Sequence, residues 1–224
     1  MREKIESLME FNISCAEIIL GKDTLVKERR NYIFQKVADL NEAKQKAGIE
    51  GNKFFISNGK NDGRMFEVRF KDFIRDVEHA KEKCQEELER YVFIIHGHSP
   101  DVEQLVRMMK MIKKIPILIK DIDNNNLSFI EKVEYYSGVN KAIALLTADD
   151  WGTEIKGSGL LSFEERARQN VIFEIGYFFG KIGREKVICI SKQGLEKPSD
   201  MNGLSNLVYE KKVDEVFEKL SEMI

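Results

Sequence analysis

The stretch YVFIIHGHSPDVEQLVRMMKMIKKIPILIKDI, residues 91–122, decides how this chain folds. It opens with a continuous apolar run, YVFIIHG, and closes with another, IPILIKDI; both are short and read as buried strands. Between them SPDVEQLVRMMKMIKK has helical spacing, with Ser99 as the cap and Pro100 in the first turn. Two strands joined by one helix run parallel, because the crossover carries the chain back to where it started. Downstream the alternation continues. NLSFIEKVEYYSGV reads as a helix capped near Asn126 or Ser128 and stopped by Gly138, and KAIALLTADD as a third strand. WGTEIKGSGLLSFEE reads as a loop, RQNVIFEIGYFFGKIG (168–183) as a helix and EKVICIS as a fourth strand. GLSNLVYE (203–210) reads as a short edge strand and VDEVFEKLSEMI as a closing helix.

This order predicts an α/β, flavodoxin-like three-layer sandwich with a parallel sheet covered on both faces. Ligands of such sheets bind outside the carboxyl ends of the strands, where the strand order reverses. Those ends are His96-Gly97-His98, Asp121-Ile122-Asp123, Thr147–Trp151 and Ser191–Gly194.

Before residue 90 the character differs, so residues 1–89 read as a mainly helical N-terminal region and 90–224 as the α/β domain. REKIESLMEFNISCAEIIL places Ile5, Leu8, Met9, Ile13, Ala16 and Ile19 or Leu20 at helical spacing, with Gly21 as the stop. A second helical pattern runs from about Thr24 to Ala47 on Leu25, Ile33, Val37 and Leu40. NKFFISNGKNDGRMFEVRF suggests a hairpin at 53–70 around an Asn-Gly-rich turn. KDFIRDVEHAKEKCQEELER follows as an amphipathic helix on Phe73, Val77, Ala80, Cys84 and Leu88. Such charge-rich stripes read as solvated faces of a helical extension that packs on the main domain or pairs with a second copy.

The 224 residues carry 36 basic and 38 acidic side chains, a net charge of −2, which argues against a dedicated nucleic-acid binder. The apolar runs are too short to span a bilayer, and the start MREKIESLMEF lacks the apolar core of a signal peptide. Three widely spaced cysteines, Cys15, Cys84 and Cys189, read as reduced thiols of a cytoplasmic protein. No membrane or nucleic-acid partner is expected.

Chemistry concentrates at two places. In the helix of 168–183, Val171, Ile175, Phe179 and Ile182 share an apolar side, and Gly176, Gly180 and Gly183 line a flank that suggests close backbone approach. Ala167, Asn170, Glu174, Tyr177 and Lys181 form a third stripe, so Glu174 either pairs with Lys181 at the surface or projects into a cleft beside Asn170 and Tyr177. Both readings stay open on the residues alone. At HGHSPD, Gly97 lets a ligand approach the backbone, and the following helix offers free N–H groups to a phosphate, unless the segment is an ordinary strand-to-helix turn. His96 and His98 have no partner at metal spacing, so no metal is expected. Asp149-Asp150-Trp151-Gly152 is a turn or, through Trp151, a platform for a base. No serine or cysteine sits in a nucleophile-elbow context.

Together VFIIHGH, TADDWG, ARQNVIFEIGYFFGKIGREKV and KPSDMNGL resemble the TIR-like predicted nucleotide-binding domains of bacteria, the branch that includes TIR domains fused to STING in anti-phage systems. The resemblance spans about residues 90–210; too little chain remains after 210 for a STING-like domain to be expected. It implies NAD+ cleavage at the nicotinamide–ribose bond, with Glu174 of NVIFEIG as the catalytic carboxylate. It implies that Arg168 and Asp200 line the same site, that His96, Gly97 and His98 lie at the nucleotide, and that 121–128 and 151–165 border the cleft and an assembly surface. Asn170 and Trp151 complete the expected nucleotide contacts. NAD+ is then the substrate, with no cofactor required, and activity follows self-assembly into a homo-oligomer.

That chemistry agrees with a lone carboxylate. Nicotinamide leaves a cationic ring as a neutral molecule, so the general acid that ordinary glycosides need is dispensable. One carboxylate can hold the ribose and stabilise the developing oxocarbenium charge. Rival readings are a nucleoside deoxyribosyltransferase-like enzyme and a non-catalytic nucleotide-binding or adaptor module. A cyclase or base-exchange outcome depends only on which acceptor reaches the ribosyl cation.

Overall fold

The computed structural model describes residues 1–21, 30–55, 63–121, 127–153, 163–201 and 206–224. The chain divides into two compact units, Met1–Leu88 and Glu89–Ile224.

The first unit is built on three helices, α1 (Arg2–Leu20), α2 (Arg30–Ala47) and α3 (Gly63–Leu88), with α1 packed against both others. In α1 the buried residues are Ile5, Leu8, Phe11, Cys15 and Ile18, while Ile13 and Leu20 are exposed. The sequence reading therefore has the correct first turn and the wrong face after it. The helix is apolar on two sides, and Phe11 selects one by stacking against Phe54 at 6.5 Å. Phe54 in turn meets Phe73 edge-on at 6.0 Å.

The expected hairpin at 53–70 is not formed. Residues 53–55 are not in a strand, 56–62 lie outside the described residues, and its second arm is helix from Gly63 onward. The aromatic, β-prone look of MFEVRF is overridden by burial at helical spacing: Phe70, Phe73, Ile74, Val77, Ala80, Cys84 and Leu88 are all buried. Of the α2 stripe, Val37 and Leu40 are buried, whereas Leu25 and the side chain of Ile33 lie outside the described residues.

The second unit holds a five-stranded parallel sheet in the order β2-β1-β3-β6-β7. Its strands are β1 (Tyr91–His96), β2 (Ile115–Ile117), β3 (Lys141–Leu146), β6 (Val187–Lys192) and β7 (Asn206–Tyr209). Because β1, β3 and β6 are buried on both faces, they show no polar alternation. Val92, Ile94, Ile143, Leu145, Ile188 and Ile190 pack with α4 (Asp101–Met111) and α7 (Phe217–Met223) in one core. On the other face α6 (Gln169–Ile182) lies against β1, β3 and β6, and Phe178 meets Phe93 with ring centroids 4.5 Å apart. A fifth helix of the chain, α5 (Phe129–Tyr136), sits beside α6, where Ser137 Oγ and Tyr177 Oη are 3.2 Å apart. This is the three-layer α/β sandwich that the sequence predicts.

The loop reading of 151–165 needs correction at both ends. Asp150–Thr153 (β4) and Phe163–Arg166 (β5) pair antiparallel into a small separate sheet, and 154–162 lie outside the described residues. IPILIKDI is also shorter than expected: only Ile115–Ile117 is strand, and Ile119–Asp121 is a 3-10 turn. The expected edge strand begins at Asn206, with 203–205 outside the described residues. Among the described residues no helix is long and apolar enough to cross a membrane.

Candidate functional site

The parallel order reverses at β1, whose neighbours β2 and β3 leave to opposite sides. Beyond its carboxyl end lies a cavity of about 840 Å³, lined by Ile94, His96, Gly97, His98, Ser99, Pro100, Val102, Glu103, Ile119, Lys120, Phe129, Lys132 and Glu174. That volume lies within the range of cofactor and substrate pockets.

Glu174 enters this cavity from the buried face of α6. Val171, Glu174, Ile175 and Phe178 follow the i, i+3, i+4, i+7 spacing of one helix side. Glu174 is therefore on the core side, only 4% exposed, and the alternative of a surface pair with Lys181 is ruled out. Burial pushes its carboxyl up to about 8, and it has no hydrogen-bond or ion-pair partner among the described residues. The inward face also differs from the predicted one, because Phe178 and not Phe179 is fully buried, against Phe93. Gly176 and Gly180 face open space, so no close backbone approach accounts for them; Gly183 has φ +93°. That value turns the chain out of α6 in a conformation that side chains resist.

Gly97 is constrained by a neighbour. A Cβ there would lie 1.8 Å from Oδ2 of Asp149, whose carboxylate accepts a 2.9 Å bond from Thr147 Oγ1. The close approach that Gly97 permits is therefore that of Asp149. The helix after it also differs from expectation. The amide of Asp101 donates to Ser99 Oγ at 3.2 Å, Val102 N–H to Ser99 O at 3.4 Å and Glu103 N–H to Pro100 O at 3.0 Å. With Asp101 and Glu103 in the first turn, the start of α4 is satisfied and negative, a poor place for a phosphate.

Of the other expected site residues, His96, Gly97 and His98 line the cavity with Glu174. Arg168, at the start of α6, is half-buried and its Nη1 donates to His98, 2.8 Å from Nδ1, which places it at the rim. Asn170 is exposed on the first turn of α6, Asp200 is exposed in the 3-10 turn Ser199–Met201, and Trp151 is 66% exposed on β4; none of the three lines the cavity. Of the segment 121–128, residues 122–126 lie outside the described residues.

The sequence reading missed the wall opposite α4. Lys120 follows the 3-10 residue Ile119, and Phe129 and Lys132 come from the first turn of α5. A capping box fixes that turn: Ser128 N–H donates to Glu131 Oε2 at 2.7 Å, and Glu131 N–H to Ser128 Oγ at 3.4 Å. Lys132 is 7% exposed although its sequence context, SFIEKVEYY, looks like any solvated helix start. The signal that could have found it is a cation placed at the positive end of a short helix, against the local preference.

Cys15, Cys84 and Cys189 are buried free thiols pushed up to about 12, 11 and 11 by burial, which makes them inert.

Residues 91–211 match the family model described as "CAP12/Pycsar effector protein, TIR domain". The chain is 42% identical to YuaY of Escherichia coli (strain K12) over 117 residues, which is 51% of this chain and 38% of that protein. It is 35% identical to protein tirC of Dictyostelium discoideum over 122 residues, 50% of this chain and 60% of the relative. To CD-NTase-associated protein 12 of Lachnospiraceae bacterium (strain RUG226) it is 34% identical over 91 residues, 40% of this chain and 27% of the relative. The chain thus spans less than two thirds of each of these relatives. The parallel sandwich and a family match over more than half of the chain agree: this chain belongs to the CAP12/Pycsar effector TIR-domain family, a TIR-like family of anti-phage signalling.

Proposed function

We propose that this TIR domain hydrolyses NAD+ at the nicotinamide–ribose bond, with Glu174 as the catalytic carboxylate. One observation carries the reading: a buried, unpartnered carboxyl faces a cavity of dinucleotide scale at the switch point of the sheet. In the empty cavity this group is mostly protonated at neutral pH, since its pKa is about 8. The cationic pyridinium of NAD+ favours the charged form and draws the proton off on binding. The C1′–N1 bond then breaks with its electron pair going to the ring, which leaves as neutral nicotinamide. The carboxylate stabilises the oxocarbenium charge on the ribose in a dry, low-dielectric site, an effect commonly worth about 3–4 kcal/mol. Water adds at C1′ and releases a proton, so the products are nicotinamide and ADP-ribose.

The direct test is to incubate purified, concentrated protein with NAD+ and quantify nicotinamide beside a Glu174→Gln variant of unchanged fold. Release by wild type and its loss in the variant support the reading. A variant as active as wild type ends it. Activity per molecule is expected to rise with protein concentration, following the assembly dependence that the family resemblance implies; a flat dependence removes that part.

A further inference from the structure

The charges that line the cavity are not evenly spread. The start of α4 brings Glu103, and next to the cavity Asp101 is tied up by Tyr209 Oη at 2.6 Å. α6 brings Glu174. The cations come from elsewhere: Lys120 after β2 and Lys132 on α5. His96 lies between, with Nδ1 2.7 Å from Gly97 O, and His98 is engaged by Arg168. Glu131, the other charge in the first turn of α5, is exposed, caps Ser128 and does not line the cavity.

Lys132 is the unusual member. A buried ammonium costs free energy unless an anion or strong acceptors face it, and the helix dipole at this end of α5 adds to the cost. It does not act as the counter-ion of Glu174, because burial alone shifts that carboxyl and no cation offsets the rise. The amides that opened α4 to a phosphate in the sequence reading are occupied, and that wall is negative.

We propose that Lys132, with Lys120 on the same side of the cavity, is the positioning cation for the diphosphate of a bound nucleotide, and that this fixes the ligand's direction with its cationic ring toward Glu174. This rests on the cavity being the nucleotide site, as argued above. A dinucleotide with a negative middle and a positive ring matches the cavity's polarity end for end; a neutral nucleoside does not.

The test uses the full chain carrying Glu174→Gln, so that binding is read without turnover, and titrates NAD+, ADP-ribose and nicotinamide riboside by calorimetry. Replacing Lys132 by Met in this background is expected to weaken NAD+ and ADP-ribose about ten- to hundredfold, the range of a lost charge-assisted hydrogen bond. Nicotinamide riboside, which has no phosphate, is expected to bind within about twofold of the parent, and Lys132→Arg to restore most of the dinucleotide affinity. Equal losses for all three ligands would make Lys132 a scaffold residue and overturn the proposal. So would unchanged NAD+ affinity, or a parent chain that binds none of the three. Circular dichroism and melting curves confirm that each variant is folded. If the discrimination is found while wild-type protein releases no nicotinamide, the diphosphate site stands and only the hydrolysis reading falls.

Discussion

Each unit of this chain buries a charged side chain, and the two are buried for opposite reasons. Lys44 of the first unit, 7% exposed, donates to Asn52 O at 2.7 Å and lies 4.7 Å from the centroid of Phe54. Asn41 clasps the same segment, with Nδ2 on Phe54 O and Oδ1 receiving Phe54 N–H. Every contact of this ammonium fastens backbone, so it belongs to the frame. Glu174 of the second unit fastens nothing; its carboxyl faces space that a ligand can fill. Burial of charge alone therefore does not mark a site. Burial without a partner, at a cavity wall, does.

The contrast can be broken most sharply at Glu174. Glu174→Gln is expected to lower nicotinamide release by about a hundredfold or more. Lys44→Met is expected to leave release per folded molecule within about twofold, since the change stays within the first unit. A comparable loss in both variants would erase the distinction.

Stability against pH sharpens it next. The folded pKa of Glu174 is raised from 4.5 to about 8, so the neutral form is favoured by folding. Its contribution is complete below pH 4.5, declines as pH rises and is gone above about 8. Thermal melts should therefore show Glu174→Gln gaining on wild type between pH 5 and 9, by several kcal/mol in sum. A pH-independent difference would mean that the carboxyl ionises in the fold without penalty.

Smaller effects test the surroundings. Gly97→Ala drives a methyl group into the Asp149 carboxylate and is expected to cost about 1–3 kcal/mol in urea unfolding. Lys44→Met should cost about 1–2 kcal/mol by the same measurement, because the Asn52 carbonyl loses a charged donor. Gly176→Ala meets nothing within 4 Å and should stabilise the helix by about 0.5–1 kcal/mol. A destabilised Gly176→Ala would mean that the close approach read from the sequence exists after all.

How much of this was legible follows from where burial leaves a pattern. The strands β1, β3 and β6 are continuous apolar runs because both faces are covered, and this pattern gave the sheet. The stripe of α3 is one clean face and was read correctly from Phe73 to Leu88. The α1 face was not, because two apolar stripes compete and only packing on Phe54 chooses between them. The β4–β5 pair stayed hidden because its residues are mostly exposed and its order resides in backbone bonds that no side-chain period reports. At the site, Glu174 stood out as a carboxylate among apolar neighbours, whereas Lys132 looked like an ordinary surface lysine. A cavity is a property of the assembled layers, and a chain pattern shows only which residues face inward.

The contact between Gly97 and Asp149 has one further result. The Asp149 amide is held by Thr147 O at 2.9 Å and Arg166 O at 3.3 Å, so the segment leading into the small two-stranded sheet is pinned at one end to the cavity floor. Gly152 is shut against the Arg166 side chain in the same way. The ribbon is thus geared to the pocket: a grip that tilts it must also turn the residues beneath a bound ligand.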